Sequence, residues 1–232
     1  QNLWSEAQAQ LVEGGTTYVS LRTVTEALAP SANVSWENGT AWVRGRGLTL
    51  SAKPGEQWMT VNGRALYIPH QVRLVNGKTM VPVRVLAQAL GGQVDWSSQD
   101  GVTLTPGSGR PAPASYTEND LYWMSRIISA ESRGEPLLGK LAVGTVVLNR
   151  VASEEFPDTI YDVIFDRKWG IQFEPVANGT IYNEPTEESV LAAKLVLEGA
   201  RAAGDSLYFI APHLTDNHWT MENRTYVTTI GC

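Results

Sequence analysis

In the segment Ser129-Ala130-Glu131-Ser132-Arg133-Gly134-Glu135, a carboxylate closes one helix-like run just before the chain turns into another. Leu121, Met124, Ile127 and Ile128 recur at helical spacing before it. After it, Pro136 suits a first helical turn, and Leu138, Ala142, Val143, Val146 and Val147 form a second apolar face. The spacing therefore predicts a helical hairpin with Glu131 near its junction. A carboxyl there that is partly removed from water keeps its proton to higher pH and can protonate a leaving oxygen. Glu135 is the nearest second acid. Its place at the start of the next helix favours a bracing role, because acidic groups there complement the helix dipole.

The elements that must hold this hairpin are legible on either side. Thr117 with Asp120 three residues on makes an approximate capping box for the first helix. Asn149 and Arg150 close the second helix, where they are expected to satisfy buried carbonyls or carboxylates. Asp158 is expected to cap a short helix through Val163-Ile164, and Thr186-Glu187-Glu188 to open a long one reaching about Ala203. Two strand-like segments, Ser206–Ile210 and Thr225–Ile230, end the chain.

Before these elements, Pro106-Gly107-Ser108-Gly109-Arg110-Pro111-Ala112-Pro113-Ala114-Ser115 has linker composition. It divides the sequence into 1–105, a linker at 106–115, and 116–232. The first part repeats itself. Tyr18-Val-Ser-Leu-Arg22 is echoed by Met80-Val-Pro-Val-Arg84; each copy continues into a short helix-like run and then into Val34-Ser-Trp36 or Val94-Asp-Trp96. Asn62-Gly63 and Asn76-Gly77 mark hairpin turns between the copies. Trp36 and Trp96 occupy equivalent repeat positions and are expected in the core.

Charge is split unevenly. Residues 1–115 carry 9 Lys and Arg against 7 Asp and Glu, whereas 116–232 carry 9 against 17, which argues against nucleic acid as a ligand of the second part. No apolar run is long enough to cross a bilayer, so membrane insertion is not expected. The start, Gln1-Asn2-Leu3-Trp4, has no basic-then-apolar export segment, as expected of a mature or trimmed form. Cys232 is the sole cysteine, and His213, Asp216 and His218 lack a recognised zinc spacing. No metal or cofactor is expected.

The repeat in residues 10–105 resembles the copper amine oxidase N-terminal-like domain, without a clustered histidine set for copper among His70, His213 and His218. By analogy it is a wall-attachment or spacer module. Residues 121–231 resemble the SleB-type cell wall hydrolase family. The motifs that carry the resemblance are Ala130–Glu135, Ala142-Val-Gly-Thr-Val-Val-Leu-Asn-Arg150, Phe156-Pro157, Gln172-Phe173-Glu174-Pro175-Val176, Leu207-Tyr-Phe209 and His218-Trp219. The family pattern continues past Ile230-Gly231 with a His and an aromatic pair. The expected architecture is α+β, with an N-terminal α+β domain built from the repeat and a C-terminal, mainly helical, lysozyme-like domain carrying a small antiparallel sheet.

The resemblance implies a secreted or cell-envelope enzyme of the spore cortex that cleaves the β-1,4 bond between N-acetylmuramic acid and N-acetylglucosamine in peptidoglycan. As a lytic transglycosylase it would use Glu131 alone, first as acid and then as base, and leave 1,6-anhydromuramic ends. Gln172, Phe173, Tyr182, Tyr208, Phe209, His218 and Trp219 are the candidate substrate contacts, and Glu135, Asn149 and Arg150 the supports. The expected partners are glycan strands, with room for an accessory or inhibitory protein, and the expected state is a monomer. Three alternatives remain open at this point. A hydrolytic muramidase would add a second carboxylate, and a non-catalytic protein would only bind the wall. A GDSL esterase would use Ser206 of Gly204-Asp205-Ser206-Leu207, although that block here follows a helix and lacks its Asp-x-x-His partner.

Overall fold

The structure, a computed structural model, describes residues 9–12, 15–97, 101–168 and 170–209. The chain divides into two compact units, Gln1–Ala114 and Ser115–Cys232. Residues 106–114 belong to the first unit, where Arg64 donates to the Ala112 carbonyl.

In the first unit the repeat is physical as well as textual. One copy runs β2 (Thr16–Ser20), α1 (Leu21–Leu28) and β3 (Asn33–Glu37), and the other runs β9 (Lys78–Pro82), α2 (Val83–Ala89) and β10 (Gln93–Ser97). The copies meet where β2 and β9 pair antiparallel, Val19 opposite Val81 and Ser20 opposite Met80. With β1 (Gln10–Val12) and β8 (Arg73–Val75) they form a four-stranded sheet in the order β1-β2-β9-β8. A meander of β3, β4 (Thr40–Gly45), β5 (Leu48–Ala52), β6 (Trp58–Val61) and β7 (Arg64–Tyr67) forms a second sheet, while β10 pairs with β11 (Gly101–Thr105).

Asn62-Gly63 and Asn76-Gly77 are two-residue turns with positive φ at both positions, as a hairpin with right-twisted strands requires. A third pair, Asn38-Gly39, does the same between β3 and β4. The core draws on both copies, with Tyr18, Val24, Leu28, Met80, Leu86 and Leu90 all buried. Trp36 departs from expectation. It is 50% exposed because β3 is an edge strand of its sheet and its residues carry little cover. The side chain of Trp96 lies outside the described residues.

The second unit is mainly helical. Helix α3 (Glu118–Ser132) starts with a full capping box, in which Thr117 Oγ1 accepts from the Asp120 amide and the Asp120 carboxylate accepts from the Thr117 amide. Helix α4 (Leu137–Val151) follows a four-residue turn, and α7 (Glu187–Leu197), capped by Thr186, packs against both. Their shared core contains Met124, Ile127, Ile128, Leu141, Val146, Val147, Ala192, Leu195 and Val196. Leu138, expected in this core, is instead 47% exposed on the first turn of α4.

The three helices meet at Gly144, where a Cβ would lie 3.0 Å from Ile128 Cδ1 and 3.0 Å from Val196 Cγ2. Gly144→Val is therefore expected to lose about 2 kcal/mol by overpacking, read as a lower urea midpoint with an unchanged m-value. An unshifted midpoint would show that the helices can part there without cost.

Two shorter helices complete the scaffold, α5 (Ile160–Phe165) and α6 (Glu174–Asn178), the latter followed by a 3-10 turn at Thr180–Tyr182. The N-cap of α5 is Thr159, not Asp158: its hydroxyl accepts from the Asp162 amide and donates to the Asp162 carboxylate. Helix α7 stops at Leu197 and does not reach Ala203, because Gly199 adopts φ 103° and Arg201 satisfies the Val196 carbonyl. Residues 206–209, expected as a strand, are irregular, and the partner strand at 225–230 lies outside the described residues. No described helix is long and apolar enough to cross a membrane.

Candidate active site

Glu131 sits on the last turn of α3, half-buried, immediately before the turn into α4. That turn is fastened by a residue with no place in the apolar pattern. Lys140, on α4, is fully buried and donates Nζ to the carbonyls of Arg133 and Glu135 while pairing with Glu188 of α7 at 3.0 Å. A buried ammonium is costly unless its hydrogens are matched, and here two carbonyls and a carboxylate match them. The Glu135 side chain lies against Gly139, and its backbone carbonyl takes the Lys140 bond. From the other side, the Ser129 hydroxyl accepts the Thr186 amide and joins α3 to the start of α7.

The carboxyl of Glu131 is unusual. Burial, then the negative field of Glu174, push it up from 4.5 to about 7, against an opposing pull from Arg150. Its position at a helix C-terminus disfavours the carboxylate in the same direction. Close to neutral pH the group is therefore divided between acid and base, the balance a proton donor and acceptor needs.

Arg150, on the last turn of α4, is 4% exposed, and its guanidinium lies among three rings: 5.0 Å from Phe156, 5.0 Å from Phe173 and 5.2 Å from Tyr208. Nε donates to the Leu207 carbonyl at 2.8 Å, whereas Nη1 has no hydrogen-bond partner among the described residues. Burial lowers its pKa, and Tyr208, Asp166 and Glu131 raise it. Beside it, Asn149 Nδ2 donates to the carbonyls of Gly204 and Ser206, each at 2.9 Å. The end of α4 thus fixes the loop 204–208 and carries a positive charge within the field of Glu131.

The predicted site residues fall into separate groups. Glu131, Arg150 and Tyr208 share one electrostatic neighbourhood. Phe173 is only 2% exposed, with the Arg150 guanidinium 5.0 Å from its ring and Phe209 at 6.4 Å. Gln172 is half-buried and donates to the Gly170 carbonyl. Tyr182 is 62% exposed on the 3-10 turn, against Trp123. His218 and Trp219 lie outside the described residues. Sequence reasoning misses Lys140, Glu174 and Asp166. A lysine inside an apolar helix face marks the first, and Glu174 stands within a motif already singled out. Nothing local marks Asp166. Gly204–Leu207 follows a helix and forms an irregular loop, which is not the strand-to-helix setting of an esterase serine.

A half-buried carboxyl pushed up toward neutrality thus stands on the last turn of one helix of the hairpin, within the field of a buried arginine on the last turn of the other. Residues 134–232 match the family profile described as Cell Wall Hydrolase, and residues 2–105 match that of the copper amine oxidase N-terminal domain. A spore cortex-lytic enzyme of Bacillus cereus is 39% identical over 111 residues, which cover 48% of this chain and 42% of that protein. The cell wall hydrolase CwlJ of Oceanobacillus iheyensis is 30% identical over 107 residues, covering 44% of this chain and 74% of the relative. The catalytic domain of the germination-specific lytic transglycosylase SleB from Bacillus anthracis is 38% identical, with a TM-score of 0.47 and coverage of 52% of this chain and 95% of that structure. The chain belongs to the cell wall hydrolase family. It spans less than half the length of the spore cortex-lytic enzymes it matches.

Proposed function

We propose that the second unit is a peptidoglycan lytic transglycosylase. The observation that carries this reading is the state of Glu131, a half-buried carboxyl with a pKa of about 7. In the proposed reaction Glu131, as the acid, protonates the oxygen linking N-acetylmuramic acid to N-acetylglucosamine, and the C1–O bond breaks. The resulting carboxylate, held in the field of Arg150, takes the proton from the muramic C6 hydroxyl as that oxygen bonds to C1. The products are a 1,6-anhydromuramic end and a free 4-hydroxyl. Glu131 ends protonated and no water is consumed.

A second reading has one observation in its favour. Glu174 is exposed at the start of α6 and its field reaches Glu131, so it is available as the second carboxylate of a hydrolase. The same field also serves the first reading, because it holds the proton on Glu131. The relatives support glycan strands of the cell envelope as the substrate, with spore cortex as the first candidate. The first unit is assigned to wall attachment or spacing, and an accessory or inhibitory protein fits such an enzyme. Mass spectrometry of fragments released from purified peptidoglycan and spore cortex tests the reading. Anhydro-muropeptides are expected, and reducing muramic ends in their place would move the assignment to hydrolysis with Glu174.

A further inference from the structure

A group of aromatic rings away from the arginine box is left unused by this chemistry. Trp123 on α3 meets Tyr161 and Phe165 of α5 and Tyr182 of the 3-10 turn, with centroids 5.3, 5.1 and 6.2 Å away and interplanar angles of 65°, 87° and 77°. Phe165 is tilted by 33° against Tyr161 and by 37° against Tyr182. Trp123 therefore packs edge-to-face with all three of the other rings. Tyr161 is 44% exposed and Tyr182 62% exposed, which is high for large rings so closely grouped.

The three elements that build the platform also build the acid site. Helix α3 carries Trp123 and, eight residues on, Glu131, about 12 Å along the helix axis. Helix α5 carries Phe165, next to the Asp166 that acts on Arg150. Glu174 opens the segment that ends in Tyr182. Along α3 the rings and the acid are thus separated by more than the length of one sugar.

The rim indicates what would lie on them. Asp162 follows Tyr161 on α5, Glu184 stands two residues after Tyr182, and Arg126, the buried cation of α3, is paired with Glu184 at 2.9 Å. Residues 116–232 carry 9 basic against 17 acidic side chains, which disfavours an anionic lipid surface or nucleic acid. Aromatic faces with phenolic tips and acceptor groups at the edge suit the uncharged CH faces and hydroxyls of a sugar chain.

We propose that Trp123, Tyr161, Phe165 and Tyr182 form a stacking platform for the CH faces of N-acetylated hexosamines in a glycan strand that also reaches the acid. The proposal deepens the transglycosylase reading and rests on it for the sugar class. Its consequence is selection for long glycans over short fragments.

The test uses the full chain in a Glu131→Gln background, so that ligand is not consumed. Calorimetric titration compares a peptide-free peptidoglycan tetrasaccharide with a much longer strand. Joint Tyr161→Ala and Tyr182→Ala replacement is expected to weaken long-strand binding about tenfold, the loss of roughly two ring contacts, with a smaller loss for the tetrasaccharide. Tyr182→Phe, which keeps the ring, is expected to retain affinity for the long strand. Equal losses at both lengths, or none, would overturn the platform. So would ring-dependent sedimentation with phosphatidylglycerol vesicles at unchanged glycan affinity. If the protein with Glu131 intact releases no fragments yet length-dependent binding needs the rings, the catalytic reading fails and the platform stands. If fragments are released while binding is indifferent to the rings, the platform fails and the catalytic reading stands.

Discussion

Glu131→Gln is expected to lower glycan cleavage by about a thousandfold, since it removes the group assigned as both acid and base. Glutamine keeps the volume and the amide polarity of the site, so the fold should survive and the loss should fall on kcat. The same substitution carries a stability signature with a definite sign. The carboxyl titrates near 4.5 in the unfolded chain and at about 7 in the folded one, so between those values the folded state holds more protons. Wild-type stability then falls as pH rises from 4.5 through 7 and levels off above. The full gap corresponds to about 3 kcal/mol, and partial access of water reduces this to roughly 2 kcal/mol. Glu131→Gln should therefore match the wild type below pH 4.5 and melt at higher temperature at pH 8. The wild-type kcat/KM should decline above pH 7. A variant that still cleaves, or whose melting difference is independent of pH, would remove Glu131 from its assigned role.

The parts of this site that could be read in the sequence are the parts that local chemistry decides. The hairpin around Glu131 follows from a capping box at Thr117, a glycine at 134 and a proline at 136, each acting within a few residues. The Asn-Gly turns of the first unit are equally local. The clamp by Lys140 depends on a carboxylate 48 residues further along, on α7, and the field of Glu174 depends on how α6 returns toward α3. No window of sequence contains either interaction. The burial of Phe173 against the Arg150 guanidinium, which stands 23 residues before it, is equally invisible locally. Thr159 displaced Asp158 as a cap by one position, which is the usual uncertainty of helix ends where two capping residues adjoin.

A separate set of long-range contacts converges on Arg150, and its removal should be the most damaging change in the second unit after any loss at Glu131. Arg150→Ala empties the space between Phe156, Phe173 and Tyr208 and strips the Leu207 carbonyl of its donor. The cavity and the unpaired carbonyl together should cost about 4 kcal/mol, measured by urea unfolding. Two further substitutions separate packing from charge. Arg150→Met fills the ring cage with a flexible apolar chain but removes the cation, whereas Arg150→Lys keeps the cation but loses the planar fork that lies among the rings. Arg150 pulls the Glu131 pKa down, so without it the carboxyl keeps its proton to still higher pH. The declining limb of kcat/KM should move to the alkaline side in Arg150→Met and stay near its wild-type position in Arg150→Lys. In the second half of the reaction the same loss removes the field that steadies the Glu131 carboxylate, so kcat should fall in Arg150→Met even at its best pH. A pH profile for Arg150→Met that superimposes on the wild type would confine this arginine to holding the 204–208 loop in place.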